Sequence, residues 1–219
     1  MIHISETFAL HTVEDFLPHE DVSQLNKIMD TESPPTARGD VRSQFERAPE
    51  AAQMILQQAI ERALPNIRLV MPSVVSAAPW EFAQIAAGHR VPVHVDGIPD
   101  PTVRPRRLAR LGVLVTAAEE GGHWFLATTS SPDLWGREEL GERDGFMPGT
   151  RLTRSRATET GVDWVDHAVP TWAEDTPKTR WFPDAPVGVA IAYGAGLLHG
   201  MTEVKQGFAR KFITDLLDA

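Results

Sequence analysis

The 219-residue chain contains no cysteine. That absence excludes disulfide bonds, thiolate zinc sites, iron–sulfur ligation by cysteine and cysteine nucleophiles. No apolar run approaches the ~20 residues that a membrane-spanning helix needs, and the N-terminus lacks the basic and apolar segments of a secretory signal. We therefore expect a cytoplasmic protein with no membrane partner.

Positive charge is also in deficit, with 21 basic against 30 acidic residues and a formal net charge of −9. Because affinity for nucleic acid rests mainly on the neutralisation of phosphates, we expect no nucleic-acid partner. The length and the 42% share of hydrophobic residues suit a single globular domain over residues 1–219. The sequence does not indicate an oligomeric state.

Helical periodicity is confined to the N-terminal part of the chain. Apolar residues at helical spacing predict helices over residues 19–29 and 49–64, and Pro65 is expected to end the second one. A short strand is predicted over residues 2–9. Residues 1–70 are thus expected to form a mainly helical support for the rest of the chain.

Short apolar segments dominate the remainder of the chain and predict strands. They lie at residues 67–70, 81–86, 91–95, 108–117, 187–193 and 208–216. Residues 128–185 are rich in charge and proline and carry four of the six tryptophans, a pattern typical of a functional insertion or lid. We expect an α+β, mainly β fold with a β-sandwich or barrel core made of residues 81–126 and 186–216.

A His-x-Asp motif ends the predicted strand over residues 91–95. His94 and Asp96 lie two residues apart, so the strand period of two puts both side chains on one face, where they can chelate one metal ion. The pair His19 and Asp21 has the same spacing, but it opens a predicted helix, where residues two apart point to nearly opposite sides. Of the two His-x-Asp pairs, only His94 and Asp96 can therefore bind one metal ion together.

His199 is the expected third ligand. It follows the predicted strand over residues 187–193 and a glycine-bearing turn. Two histidines and one carboxylate form the facial triad of iron(II) oxygenases, which leaves three coordination positions open. Zinc hydrolases also use two histidines and a carboxylate, so these ligands alone leave the reaction undecided.

Arg210 favours an anionic co-substrate. If residues 208–216 form a strand, Arg210, Phe212 and Thr214 share one face and the neighbouring Lys211 points away. A buried guanidinium needs an anion, and a carboxylate suits it best. Thr214 is placed to add a hydrogen bond to the same group, and Gln84, on the strand before the His-x-Asp motif, is a further candidate for contacting a co-substrate.

An ordered set of motifs from residue 81 to residue 216 resembles the Fe(II)/2-oxoglutarate-dependent dioxygenases, especially the prolyl-hydroxylase-like branch. The motifs are Gly88, His94-Val95-Asp96, the strand from Arg107 to Thr116, Glu120-Gly121-Gly122-His123-Trp124-Phe125, Pro186-Val187-Gly188, His199-Gly200 and Val204 to Arg210. The chain departs from the family at Phe212, where many members carry serine, and in its longer insertion over residues 128–185.

The resemblance implies a double-stranded β-helix, a jelly-roll related to cupins, with the N-terminal helices packed outside it. It implies that His94, Asp96 and His199 hold Fe(II), that 2-oxoglutarate chelates the iron with its far carboxylate on Arg210, and that dioxygen is the third reactant. Succinate and carbon dioxide would be released.

The expected substrate is a small molecule, such as an amino acid or a natural-product intermediate, because no module for binding protein or nucleic acid is recognisable. Candidate substrate contacts are Arg107, Trp124, Arg151 and Arg154. Two alternatives remain open: a prolyl-type hydroxylase of proteins, and a cupin-like binding protein without catalysis.

Overall fold

The chain places its helices before its main strands. In this computed structural model, residues 1–32, 44–155 and 171–219 are described. The helices are α1 (His19–Glu32), α2 (Glu50–Ile67) and the short α3 (Thr171–Asp175). The strands are β1 (Leu10–Val13), β2 (Gln44–Arg47), β3 (Ser76–Ala77), β4 (Glu81–Ala86), β5 (Val91–Val95), β6 (Arg107–Thr116), β7 (Glu120–Gly121), β8 (Trp124–Thr128), β9 (Thr179–Trp181), β10 (Ala190–Gly194), β11 (Leu198–Met201), β12 (Val204–Gln206) and β13 (Phe208–Leu217).

Two antiparallel sheets face each other. The larger has the order β1-β10-β6-β13-β4-β2, with β3 added to β13, and the smaller has the order β5-β11-β8-β9. From β4 onward the chain passes back and forth between the sheets, so that β4, β6, β10 and β13 lie in one and β5, β8, β9 and β11 in the other. This arrangement is a double-stranded β-helix, and the expected mainly β, α+β fold is confirmed.

The helices α1 and α2 cover the outer face of the larger sheet. Their apolar side chains form one core with Phe82 of β4 and Phe212 of β13, whose rings lie 5.3 Å apart. The Asn26 side chain ties α1 to β6: it donates to the Val115 carbonyl (2.8 Å) and accepts from the Thr116 hydroxyl (2.7 Å). Among the described helices, none is long and apolar enough to cross a membrane.

Three local predictions differ from the structure. Residues 67–70, predicted as a strand, are the end of α2 at Ile67 followed by a turn. Residues 2–9, predicted as a strand, contain a 3-10 helix over Ile4–Phe8, because the Glu6 carboxylate accepts from the backbone and hydroxyl of Ser73 (2.7 and 2.9 Å). The helix α2 continues through Pro65 to Ile67. Pro65 lies in the last turn of α2, so the N–H donor that it lacks removes one hydrogen bond near the end of the helix and leaves the preceding turns intact.

The segment over residues 128–185 contributes to the core. Its strand β9 pairs with β8 and completes the smaller sheet, and Ala173 of α3 packs against Val93 and Phe125 on the outer face of that sheet. Residues 156–170, which include Trp164, lie outside the described part of the chain.

Candidate metal centre and adjoining cavity

Three buried side chains meet between the two sheets. His94 on β5 lies opposite His199 on β11 in the antiparallel register, and the two rings are 4.2 Å apart. Asp96 follows β5 on the same face, with its carboxylate 3.8 Å from His94 Nε2 and 3.5 Å from His199 Nε2. One ligand atom from each residue lies within 4.8 Å of the others. The predicted convergence of the triad is therefore observed.

The backbone fixes the orientation of both histidines. His94 Nδ1 lies 2.8 Å from the Pro92 carbonyl and His199 Nδ1 lies 3.0 Å from the Leu197 carbonyl. Because a carbonyl only accepts, Nδ1 carries the proton in each ring, and the Nε2 lone pair is directed toward Asp96. Burial lowers the pKa of His199, which favours the neutral form that a metal requires.

Asp96 is ionised despite its burial. Burial alone would raise its pKa, but the positive charge of Arg110, aided by His199, Arg107 and His94, brings the pKa well below the usual range. Its Oδ1 lies 3.4 Å from Arg110 Nη1, whereas its Oδ2 is buried with no hydrogen-bond partner. A buried carboxylate oxygen without a partner is costly, and a cation held by two imidazoles satisfies it. The donor set therefore fits a metal ion.

A small cavity opens beside His199. It has a volume of about 190 Å³ and is lined by Trp124, Tyr193, Met201, Lys211 and Ile213, among others. The Tyr193 ring lies 4.7 Å and the Trp124 ring 6.2 Å from the His199 ring. The cavity is smaller than the ~300 Å³ at the lower end of drug-sized pockets, so it suits a compact ligand.

Lys211 is the cationic group of this cavity. It projects from the inner face of β13, partly buried. Burial, aided by the positive charge of Arg110, lowers its pKa to about 8, so the ammonium form still dominates at neutral pH. A cation in a small enclosed space favours a ligand with a carboxylate.

The three residues predicted to hold the co-substrate lie on the opposite face of the larger sheet. Arg210 donates to Gln84 (2.7 Å) and to Asp30 of α1 (2.6 Å), and the Thr214 hydroxyl donates to the Ala78 carbonyl (2.6 Å). The strand period of two explains the difference, because Lys211 and Ile213 face the cavity and the residues between them therefore face the helices. Arg210 and Gln84 thus contact each other and Asp30 of α1 through Arg210, Thr214 contacts the segment before β4, and Lys211 rather than Arg210 faces the cavity.

The four candidate substrate residues are dispersed. Arg107 lies near the metal ligands: its Nη2 donates to the Asp96 carbonyl (3.3 Å). Trp124 lines the cavity. Arg151 pairs with Glu139 on the exposed surface, and the Arg154 guanidinium lies 5.4 Å from the Trp172 ring, on the far side of the His-x-Asp turn from the cavity residues.

Sequence reasoning missed Lys211, Tyr193, Arg110 and Asp215. All four lie on the inner face of the larger sheet, in strands that the sequence did predict. The missing information was the inward or outward direction of each strand. Lys211 and Arg210 are both basic, so the composition of β13 does not distinguish them.

Fold and site together define a double-stranded β-helix protein with a two-histidine, one-carboxylate centre. Models of protein families do not match the chain, and no curated protein matches it. Solved structures match over nearly the whole length. The viral collagen prolyl hydroxylase of Paramecium bursaria Chlorella virus-1, in its 2-oxoglutarate complex, has a TM-score of 0.55 at 14% identity, over 95% of both chains.

Two further solved structures match to a similar extent. HygX from Streptomyces hygroscopicus, solved with nickel and 2-oxoglutarate, has a TM-score of 0.55 at 14% identity, covering 96% of this chain and 83% of that one. SnoK, a non-haem alpha-ketoglutarate-dependent carbocyclase from nogalamycin biosynthesis, has a TM-score of 0.54 at 11% identity, covering 99% and 82%. The chain therefore shares the fold of these three proteins.

Proposed function

We propose that this chain is an Fe(II)- and 2-oxoglutarate-dependent oxygenase that hydroxylates a small molecule. One observation carries the proposal: three buried ligand atoms, from His94, Asp96 and His199, converge next to a small cavity that contains a lysine. The fold matches with HygX and with the viral prolyl hydroxylase, both solved with 2-oxoglutarate, support the choice of metal and co-substrate.

Lys211 is the proposed anchor of 2-oxoglutarate. Its ammonium group would donate a charge-assisted hydrogen bond to the far carboxylate of 2-oxoglutarate, and His94, Asp96 and His199 would hold the metal that serves the keto-acid end. Tyr193 and Trp124 line the same cavity as Lys211, and both rings lie near the His199 ring. The buried Tyr193 and the partly buried Trp124 limit the access of water to the co-substrate.

The protein supplies geometry and a dry environment. His94, Asp96 and His199 would hold Fe(II), and three protein ligands of this kind would leave coordination positions for exogenous ligands. Iron(II) with 2-oxoglutarate and dioxygen supplies the oxidising power that inserts oxygen into a C–H bond, with succinate and carbon dioxide as co-products. Arg110 lies between the carboxylates of Asp96 and Asp215, and its positive charge keeps Asp96 in the ionised form that a metal requires.

A small polar substrate is supported by the charged groups near the ligands. Arg107 and Asp215 form a partly exposed pair, with 16% and 29% of their side chains accessible, and Arg107 contacts the backbone of Asp96. Such a pair offers both signs of charge to a molecule with an amine and an acid. An amino acid, or an intermediate derived from one, fits this description.

Residues 128–185 are the proposed lid, although they also include β9. Their described part closes on the metal-bearing turn, where the Ser155 hydroxyl donates to the Asp96 carbonyl (2.9 Å). A segment that contacts a metal ligand in this way can couple the binding of substrate to the position of that ligand.

Turnover tests the proposed activity. Purified protein with Fe(II), 2-oxoglutarate and a panel of amino acids should form succinate in proportion to oxidised substrate, and His94→Ala should abolish it. Product gained only from proline-containing peptides would move the assignment to a protein hydroxylase. Oxygen-independent turnover with zinc would indicate a hydrolase, and metal binding without any turnover would leave a cupin-like binding protein.

A further inference from the structure

Arg110 connects two carboxylates on the inner face of the larger sheet. Its Nε donates to Asp215 Oδ1 (2.8 Å), and its Nη1 lies 3.4 Å from Asp96 Oδ1. Only 5% of Arg110 is accessible, so water competes little for these contacts. Asp215 also lies 3.4 Å from Arg107 Nη1. Asp215 therefore binds one edge of the Arg110 guanidinium, and the other edge of the guanidinium faces the metal ligand Asp96.

The two oxygens of Asp96 consequently have different surroundings. Each oxygen lies near one histidine, Oδ1 at 3.8 Å from His94 Nε2 and Oδ2 at 3.5 Å from His199 Nε2. Only Oδ1 also lies beside the Arg110 guanidinium, whereas Oδ2 is buried with no hydrogen-bond partner. A carboxylate binds a metal ion through one oxygen or through both. The oxygen paired with a cation is the poorer donor, because the guanidinium withdraws its charge and restricts its direction.

We propose that Arg110 is a positioning residue that makes Asp96 a one-oxygen ligand, bound through Oδ2. This inference rests on the metal site of the proposed function. Two histidines and one carboxylate oxygen leave three positions of a six-coordinate ion open, which a chelating keto acid and one further molecule need together. Without Arg110, Oδ1 is free to rotate onto the ion and take one of those positions.

Bound water on Mn(II) measures the number of open positions directly. The wild-type protein loaded with Mn(II) should carry three exchangeable waters, which water-proton relaxation counts. In Arg110→Met the count should fall to two, so that the relaxation due to bound water drops by about a third. Saturation with 2-oxoglutarate should leave one water on the wild type and none on the variant.

Two variants separate this role from general support of the sheet. Arg110→Lys keeps a cation beside Asp96 and should restore three waters. Arg107→Met removes the other arginine that pairs with Asp215. The Arg107 side chain donates to the backbone carbonyls of Asp96 and Gly97 and not to the Asp96 carboxylate, so this variant should also keep three waters. If Arg110→Met does not fold, Arg110→Gln serves with the same expected count, because glutamine is too short to reach Asp96.

The outcomes distinguish the inference from the proposed function. A wild-type water count in Arg110→Met or Arg110→Gln, with Mn(II) bound, would overturn the positioning role and leave the metal site intact. A wild-type protein that binds no Mn(II) and no Fe(II) would overturn both. Loss of a water in Arg107→Met as well would assign the effect to the charge pair and contradict a specific role for Arg110.

Discussion

Two adjacent basic residues on β13 have opposite surroundings. Arg210 points toward α1 and hydrogen-bonds to Asp30 and Gln84, while Lys211 points into the cavity beside Tyr193. The salt bridge of Arg210 to α1 stabilises the fold, whereas the Lys211 ammonium lies in a cavity where an anionic ligand can bind it. At the scale of single residues, this difference makes their roles separable by experiment.

Lys211→Met should weaken 2-oxoglutarate binding and leave metal binding unchanged. The loss of one charge-assisted hydrogen bond costs about 1.5–3 kcal/mol, or roughly 10- to 100-fold in affinity. Arg210→Met is the matched control, because it removes the neighbouring cation. It should alter 2-oxoglutarate affinity by less than about twofold while lowering stability by ~1–3 kcal/mol. Calorimetry measures the affinity for 2-oxoglutarate, and thermal unfolding measures the stability. A large loss of affinity in Arg210→Met with little loss in Lys211→Met would identify Arg210 as the residue that binds 2-oxoglutarate.

The affinity for 2-oxoglutarate should fall as pH rises above about 8. Burial lowers the pKa of Lys211 to about 8, so the ammonium that binds the carboxylate is present below that pH and is lost above it. Well above the pKa, the dissociation constant should rise about tenfold per pH unit. Lys211→Arg should bind with a flat profile, since a guanidinium keeps its charge. A wild-type profile that is flat to pH 10 would exclude Lys211.

At the scale of elements, the turn after β5 sets the position of Asp96. Gly97 has φ +64°, and a Cβ there would lie 2.5 Å from the Arg154 carbonyl oxygen and from Ser155 Cα. The insertion thus packs directly on the backbone of the metal-bearing turn. Only glycine allows both this conformation and this approach.

Gly97→Ala should therefore destabilise the protein and weaken metal binding. The backbone strain alone costs about 1–2 kcal/mol, and the clash with the insertion adds to it. Gly88→Ala is a matched control, because Gly88 also has a positive φ (+82°) but has nothing within 4 Å of its Cβ position. Chemical denaturation should show a larger loss for Gly97→Ala, and only that variant should lose metal affinity. Equal losses of stability in Gly97→Ala and Gly88→Ala would show that the contact between the insertion and the turn does not stabilise the protein.

The elements differ in how well their sequence predicted them. The strands over residues 81–86 and 91–95 were predicted with their observed bounds, because apolar and β-branched residues alternate there and glycines follow. The His-x-Asp pair was predictable for the same local reason. The N-terminal strand was wrong because Glu6 contacts Ser73, a partner 67 residues away that local patterning does not reveal.

The orientation of β13 was beyond local reasoning. Its helix-facing side carries Arg210, Phe212 and Thr214, and its cavity-facing side carries Lys211 and Ile213. Both faces mix a basic residue with apolar ones, so hydrophobic alternation does not assign them. A shift in register between Arg210 and Lys211, where β13 pairs with β6, adds a further offset. The helix α1 decides the orientation through Asp30, and that contact is long-range.

At the scale of the whole molecule, the metal site joins the two strands β5 and β11, far apart in sequence. A ligand that binds only the folded chain stabilises it by about 2.7 kcal/mol at 100 times its dissociation constant. Ni(II) or Fe(II) should therefore raise the unfolding temperature by roughly 5–10 °C for a chain of this length. His199→Ala should abolish the shift, and a chelator should reverse it in the wild type. A shift that persists in His199→Ala would place the metal elsewhere.

The central claim is that one metal ion at His94, Asp96 and His199 receives 2-oxoglutarate as a chelate. An anaerobic titration of the Fe(II)-loaded protein with 2-oxoglutarate, followed by visible absorption, tests it most directly, because a keto acid chelated to Fe(II) produces a metal-to-ligand charge-transfer band. We predict a saturable band at one equivalent, lost in Asp96→Ala and much weaker in Lys211→Met at the same concentration. A wild-type protein that holds one equivalent of Fe(II) yet shows no band at saturating 2-oxoglutarate would contradict the account.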